Sequence, residues 1–243
     1  EVYHHSTHTY NVDKLMEGMK KSIEYYNELY GPYPYRQCRI LEFPYGSYAA
    51  SFPNTIPFSE NIGFVLDVNP DDPEDLDMPF WVTAHEMGHQ WWPHQVSGGN
   101  VQGSAFLSEG LAEYSAVSLL AKEKGEKQLR KFLKYELDKY LNGRYQEQKF
   151  EPTIVQTEGH SYIHYNKAGL MMYTLSDFIG KDVFNSALGR FIDKFRYQSN
   201  PYTNIGEFVK TIREDTPDDL QYLITDTFEK ITLYENKAKE ASA

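Results

Sequence analysis

Five consecutive residues, His85-Glu86-Met87-Gly88-His89, constrain the fold of this chain more than any other segment. Residues four apart on an α-helix lie on one face, so both imidazoles can point at a single ion if this segment is helical. The flanking sequence predicts such a helix, because Pro79 suits its first turn and Pro93 ends it. An apolar stripe beside the histidine face comprises Phe80, Ala84, Met87 and Trp91. We therefore predict a metal-binding helix over residues 77–92.

A carboxylate on the next predicted helix completes the candidate metal site. Glu109 lies between Leu107 and Leu111, on an apolar face where a carboxylate needs a partner. Two histidines and one acidic residue, with one coordination position left for water, suit Zn²⁺. We predict that His85, His89 and Glu109 bind one Zn²⁺.

Glu86 and Glu113 are predicted to act beside this ion without binding it. Glu86 adjoins the histidine face, where it can reach a metal-activated water and act as general base. Glu113 lies one helical turn after Glu109, where it can accept a hydrogen bond from a ligand imidazole and fix its tautomer. The alternative for Glu113 is a solvated helix position.

These segments resemble the aminopeptidase N and leukotriene-hydrolase family of gluzincin zinc metallopeptidases, in which HExxH is followed by a Glu in an Asn-Glu-Gly context. His89-Gln90-Trp91-Trp92 is similar to the family's continuation after the second histidine. Ser108 stands where the family has Asn, and the spacing from His89 to Glu109 is one residue longer than usual. A loop accommodates such an insertion easily.

The resemblance extends to three further elements and implies roles for residues in two of them. Tyr30-Gly31-Pro32-Tyr33-Pro34-Tyr35 is similar to a segment before the first strand of the family's catalytic domain. Tyr165-Asn166-Lys167 resembles a Tyr-x-Lys-Gly element, which implies that the Tyr165 hydroxyl donates a hydrogen bond to the oxyanion. Glu60-Asn61 resembles the end of a Gly-x-Met-Glu-Asn loop, which implies that this pair binds the free amine of a substrate. If Glu60 faces solvent instead, internal peptide bonds become possible substrates.

The expected fold is α+β and predominantly α, a thermolysin-like zincin catalytic domain. We expect a strand-containing lobe over residues 1–125, with both metal-binding helices, and a helical lobe over 126–243, as parts of one catalytic domain. Hydrophobic periodicity and Gly or Pro punctuation predict the elements. The predicted strands are 36–43 and 62–68, and the predicted helices are 13–30, 77–92, 104–124, 126–142, 165–179, 182–195, 204–214 and 217–238.

Charge and composition exclude several classes of partner. The formal net charge of −11 argues against nucleic acid and anionic membrane surfaces as partners. We expect no direct membrane contact by this chain, which has no run of 18 apolar residues. The single cysteine, Cys38, excludes an internal disulfide and leaves the compartment open. The chain starts at Glu1 without Met, and the family's β-rich N-terminal and helical C-terminal domains are missing, so we expect flanking domains of a longer chain.

The predicted function is zinc-dependent hydrolysis of peptide bonds, with release of N-terminal residues from a peptide substrate. The alternative is a catalytically weak peptide-binding or sensing module on the same scaffold, within a larger membrane-associated protein, since bacterial members of the family include permease-fused proteins. A helical scaffold without metal is a third possibility. Metal analysis separates the third from the others, and turnover by wild type and Glu86→Gln separates the first two.

Overall fold

The computed structural model describes residues 1–44, 46, 48–69, 71–72 and 75–232. Helices make up most of this part of the chain, and the α+β, predominantly α, class predicted from the sequence is confirmed. The strands are β1 (Val2–Tyr3), β2 (Arg39–Phe43) and β3 (Thr55–Ser59). The α-helices are α1 (Val12–Tyr30), α2 (Met78–Gly88), α3 (Leu111–Gln146), α4 (Ala168–Ile179), α5 (Lys181–Phe195), α6 (Ile205–Asp215) and α7 (Gln221–Ile224).

The three strands form a small parallel sheet in the order β1-β2-β3. In its register Ile40 lies between Val2 and Ile56. β3 contains Pro57, which an edge strand tolerates because only one side of it must supply ladder hydrogen bonds. The prediction of a strand at 62–68 is wrong. The chain forms β3 earlier and then a π-helical turn, Glu60–Phe64, because that turn buries Phe64 completely.

The packing of α2 against α3 positions the predicted metal-binding residues. A Cβ atom on Gly88 would lie 3.0 Å from the Cα of Ala112, so the glycine permits the close approach of the two helices. A π-helical turn, Phe106–Gly110, leads directly into α3. The prediction that one helix ends and another begins at Gly125 is confirmed, since this residue has non-helical backbone angles (φ 76°, ψ 177°) and two helices meet there in a kink within α3. The second helix runs to Gln146, beyond the predicted end at 142. The division into lobes at residue 125 falls at this kink and stays a proposal.

Aromatic side chains fill the interface between α1 and the two central helices. Tyr26 donates a hydrogen bond to the carbonyl oxygen of Ala84 at 3.1 Å, and Tyr30 bonds with Ser115 Oγ at the same distance. Trp91 packs edge-on against Tyr26, with 5.6 Å between ring centroids. Because their hydroxyl groups have partners, these tyrosines add apolar contact area without leaving a buried polar group unpaired.

The C-terminal part of the described chain consists of short helical pieces. The prediction of one helix over 217–238 is wrong: the chain forms a 3₁₀ turn (Asp218–Leu220), α7 and a π-helical turn (Thr225–Glu229). Residues 233–238 of the predicted helix lie outside the described residues. Among the residues that are described, no helix has both the length and the apolar character that crossing a bilayer requires.

Candidate metal centre

Two histidines from the end of α2 meet one carboxylate from the turn before α3. Glu109 Oε2 lies 3.4 Å from Nε2 of His85 and 3.2 Å from Nε2 of His89. The three residues offer ligand atoms that all lie within 4.8 Å of one another. His85 and His89 are buried, and the Glu109 side chain is 23% exposed. The structure thus brings together the three residues that the sequence predicted as ligands.

The second nitrogen of each imidazole has its own partner. His85 Nδ1 lies 2.9 Å from Glu113 Oε2, and His89 Nδ1 lies 2.6 Å from the carbonyl oxygen of Trp92. A proton on each Nδ1 satisfies these contacts and leaves the Nε2 lone pairs free to bind an ion. Glu113 therefore occupies the position that the sequence predicted for it, and its side chain is 1% exposed.

The donor set fits a divalent metal ion. Glu109 Oε2 is buried and has no hydrogen-bond partner among the described residues. Burial opposes ionisation of this carboxyl, but His85 and His89 outweigh it and hold its pKa well below the usual range. An ionised carboxylate oxygen and two imidazole nitrogens on one side of a cleft match the ligands of Zn²⁺ in proteins.

Glu86 lies in the same cleft but outside the ligand triad. Its side chain is buried, and Oε2 has no hydrogen-bond partner among the described residues. Burial raises the pKa of the Glu86 carboxyl, against the opposing effect of the nearby histidines. A raised pKa brings a carboxylate closer to the range in which a general base works at neutral pH.

Tyr165 reaches this centre from a π-helical turn, Tyr162–Lys167, that precedes α4. Its ring stacks with that of His85, at 5.8 Å between centroids and 26° between planes. Burial and the Glu109 carboxylate raise the pKa of Tyr165, so its hydroxyl keeps its proton at neutral pH. Tyr165, for which the resemblance implies a hydrogen-bond donor, therefore lies protonated beside the candidate metal ligands.

The cleft around these residues has a volume of about 410 Å³. Its walls include residues that the sequence analysis missed, namely Tyr48, Ala49, Ala50, Ser51, Trp81, Val82, Pro93 and His94. Burial, followed by the effect of His89, lowers the pKa of His94 to about 4, so this imidazole is neutral. The proximity of His94 to the motif in sequence was a usable signal, whereas nothing local marked residues 48–51.

Glu60 and Asn61 lie apart from the candidate metal ligands. Glu60 lines a different cavity, with Glu42 and His8, and is not among the residues that line the cleft. Asn61 is exposed. The cause is the π-helical turn after β3, which replaces the predicted strand and aims Glu60 at the start of the chain. This placement gives no support to the amine-binding role predicted for the pair.

A third buried carboxyl lies behind the centre. Glu136 on α3 is fully buried, and its Oε2 accepts a hydrogen bond from Asn166 Nδ2 at 2.8 Å. Burial, reinforced by the nearby Glu113, raises the pKa of Glu136 from 4.5 to about 9. Glu136 is therefore protonated at neutral pH, and it ties α3 to the turn that carries Tyr165.

The Glu136 carboxyl is expected to make stability depend on pH. Its pKa is higher in the folded than in the unfolded chain, so the folded state binds more protons between about pH 4.5 and 9 and loses stability as pH rises through that window. The slope is up to about 1.4 kcal/mol per pH unit. We expect Glu136→Gln to flatten the dependence of the melting temperature on pH between 6 and 9. At pH 8, the melting temperature of this variant should be higher than that of wild type. Glu126→Gln, on the exposed part of the same helix, should keep the wild-type slope, and an unchanged slope in Glu136→Gln would show that this carboxyl is ionised.

Comparison with known proteins gives a family model and several solved structures. The model described as "Peptidase family M1 domain" matches residues 14–228. A search of curated proteins found no match.

Three solved structures illustrate the match in fold. The M1 zinc metallopeptidase from Deinococcus radiodurans has a TM-score of 0.68 and 14% identity, over 98% of this chain and 48% of that one. A mutant of the M1 zinc metallopeptidase from the same organism, bound to a Tyr-Ser-Ala substrate, has a TM-score of 0.66 and 16% identity, over 95% and 47%. Native yeast LTA4 hydrolase has a TM-score of 0.68 and 17% identity, over 94% and 38%. The chain spans about half the length of the first two and less of the third.

Proposed function

Because the chain belongs to the peptidase M1 family, we propose that it is the hydrolytic part of a zinc metallopeptidase. The observation that carries this proposal is the convergence of His85, His89 and Glu109 on one point of a cleft that also holds a buried carboxylate, Glu86. His85, His89 and Glu109 would hold a zinc ion there, which would supply Lewis acidity toward the scissile carbonyl and toward water.

Two other residues of the cleft transfer the protons and stabilise the negative charge that develops on the substrate. Glu86 takes the proton from the attacking water and delivers it to the departing amine, the role of a general base and then a general acid. The Tyr165 hydroxyl donates a hydrogen bond to the carbonyl oxygen as negative charge develops on it. A donor of that kind lowers the barrier by about 3–4 kcal/mol. Glu113 and the Trp92 carbonyl hold the two imidazoles in the tautomer that leaves Nε2 free.

Release of N-terminal residues is the finer part of the proposal. Family membership supports it, as does the substrate named for the bacterial relative, a tripeptide. Glu60 is not assigned to the substrate's amine, since it lies in another cavity. Trp81 and Tyr48 give the cleft apolar walls on which a substrate side chain can pack.

The test compares peptide substrates with free and blocked amines. Aminoacyl-coumarin amides, their N-acetylated forms and an internally quenched peptide blocked at both ends are incubated with the purified chain. We expect cleavage of the free-amine substrates, loss of cleavage with a chelator, and recovery when Zn²⁺ is added back.

The outcomes separate the coarse proposal from the fine one. Equal cleavage of blocked and free substrates would leave metal-dependent hydrolysis standing and overturn N-terminal release. Absence of metal-dependent cleavage with every substrate would overturn the enzymatic proposal. Binding of the same peptides without turnover, measured by calorimetry, would then favour a peptide-binding module.

A further inference from the structure

A second group of potential metal ligands lies outside the cleft. His8 precedes α1, Glu42 is on β2, and Glu60 opens the π-helical turn after β3. These three residues offer ligand atoms within 4.8 Å of one another. They line a cavity of about 570 Å³ whose walls also include His4 and His5. Residues widely separated in sequence have thus been gathered at one place by the fold.

Two carboxylates, those of Glu42 and Glu60, lie close together at this place. The Glu42 side chain is 7% exposed, contacts His8 Nδ1, and accepts a hydrogen bond of 2.5 Å from the backbone N–H of His5. Among the described residues, the Glu60 carboxylate forms no hydrogen bond or ion pair. Two carboxylates that lie close together repel each other, and a bound cation removes that repulsion.

The donors select a class of ion. One imidazole nitrogen and two carboxylate oxygens are ligands that Zn²⁺ accepts, whereas Ca²⁺ and Mg²⁺ prefer oxygen alone. In a tetrahedral zinc site, two ligand atoms each about 2.0–2.2 Å from the ion lie roughly 3.3–3.6 Å apart. The ligand atoms of the three residues lie within 4.8 Å of one another, so rotations of the side chains bring them to the spacing that one ion requires.

We propose that His8, Glu42 and Glu60 form a second binding site for a divalent transition-metal ion such as Zn²⁺, with a structural role. The site ties the start of the chain to the sheet. Glu42 and Glu60 also bracket the segment that contributes Tyr48 and Ser51 to the wall of the cleft, so an ion at this site holds both ends of that wall. The site uses none of the residues of the first metal centre and does not depend on the proposed hydrolysis.

The experiment measures zinc binding with the first centre removed. His89→Ala eliminates that centre, and zinc bound per chain is then determined by equilibrium dialysis and elemental analysis. We expect His89→Ala to bind one equivalent of zinc. Adding His8→Ala or Glu60→Gln to this variant should weaken zinc binding at least tenfold. The matched control is His160→Ala, because His160 also faces a carboxylate, with Nε2 3.7 Å from Glu147 Oε2, but belongs to neither ligand group. When His160→Ala is added to His89→Ala, the chain should still bind one equivalent of zinc.

A second measurement covers the case in which the double variants fold poorly. In the otherwise wild-type chain, Glu60→Gln is expected to bind one equivalent of zinc where wild type binds two. Zinc is also expected to raise the melting temperature of His89→Ala, and the same concentration of Ca²⁺ is not. Equal zinc content in wild type and Glu60→Gln, or no zinc bound by folded His89→Ala, would overturn the proposal.

Discussion

Replacing Glu86 by glutamine is expected to lower peptide turnover by about 10²–10⁴-fold, the usual contribution of a general base. The amide keeps the size of the side chain but cannot take a proton from water. Glu86 is buried in the cleft and is not one of the three predicted ligands, so the substitution should leave the zinc content and the melting temperature nearly unchanged. The measurements are kcat on an aminoacyl-coumarin amide, elemental analysis and thermal unfolding.

The control for this variant is Glu126→Gln, which removes from α3 one exposed carboxylate that does not line the cleft. It should turn over substrate at the wild-type rate. If wild type and Glu86→Gln release product at the same rate, Glu86 is not the general base. A Glu86→Gln chain that has lost its zinc would instead place this carboxylate among the ligands.

Replacing Glu109 by alanine is expected to release the zinc ion of the first centre and abolish turnover. Glu109 supplies the only predicted anionic ligand there, and without it two neutral imidazoles must hold the ion. We expect zinc affinity to fall by more than the roughly 10–100-fold typical for loss of a hydrogen-bond partner of a ligand. Zinc should then no longer stabilise the fold through this centre, because that stabilisation depends on the ratio of free zinc to its dissociation constant.

The comparison for this prediction is Glu113→Gln. Glu113 contacts His85 but is not a predicted ligand, so this variant should lose affinity only within that 10–100-fold range. Elemental analysis after dialysis should show one equivalent of zinc fewer in Glu109→Ala than in wild type. Unchanged zinc content in Glu109→Ala would mean that another carboxylate completes the centre, and Glu86 and Glu113 would be the candidates.

The sequence predicted best where the decisive contacts are local. The spacing of His85 and His89 defines one helical face, and the proline at 93 and the capping residue at 77 bracket the helix. The structure accordingly begins α2 at Met78. The helix ends at Gly88, and His89 follows with helical backbone angles, so its imidazole stays beside that of His85.

The sequence predicted worst where a segment takes its conformation from distant neighbours. Residues 62–68 have the composition of a strand, yet Phe64 is buried from a π-helical turn, and the strand is the proline-containing segment before it. The position expected for Glu60, just before the predicted strand, was wrong for the same reason. A resemblance over a few residues assigned it to the cleft, whereas the fold placed it beside His8 and Glu42.

By itself, the sequence determined which side chains can share the face of one helix, because the 3.6-residue period of the backbone depends on nothing outside the segment. Only the tertiary structure decided which remote groups meet them. The packing of segments dozens of residues apart decides the neutral state of Glu136, the walls of the cleft and the composition of the group around His8. Such packing maximises burial of the core as a whole, and no local pattern of residues encodes the pairs that it brings together.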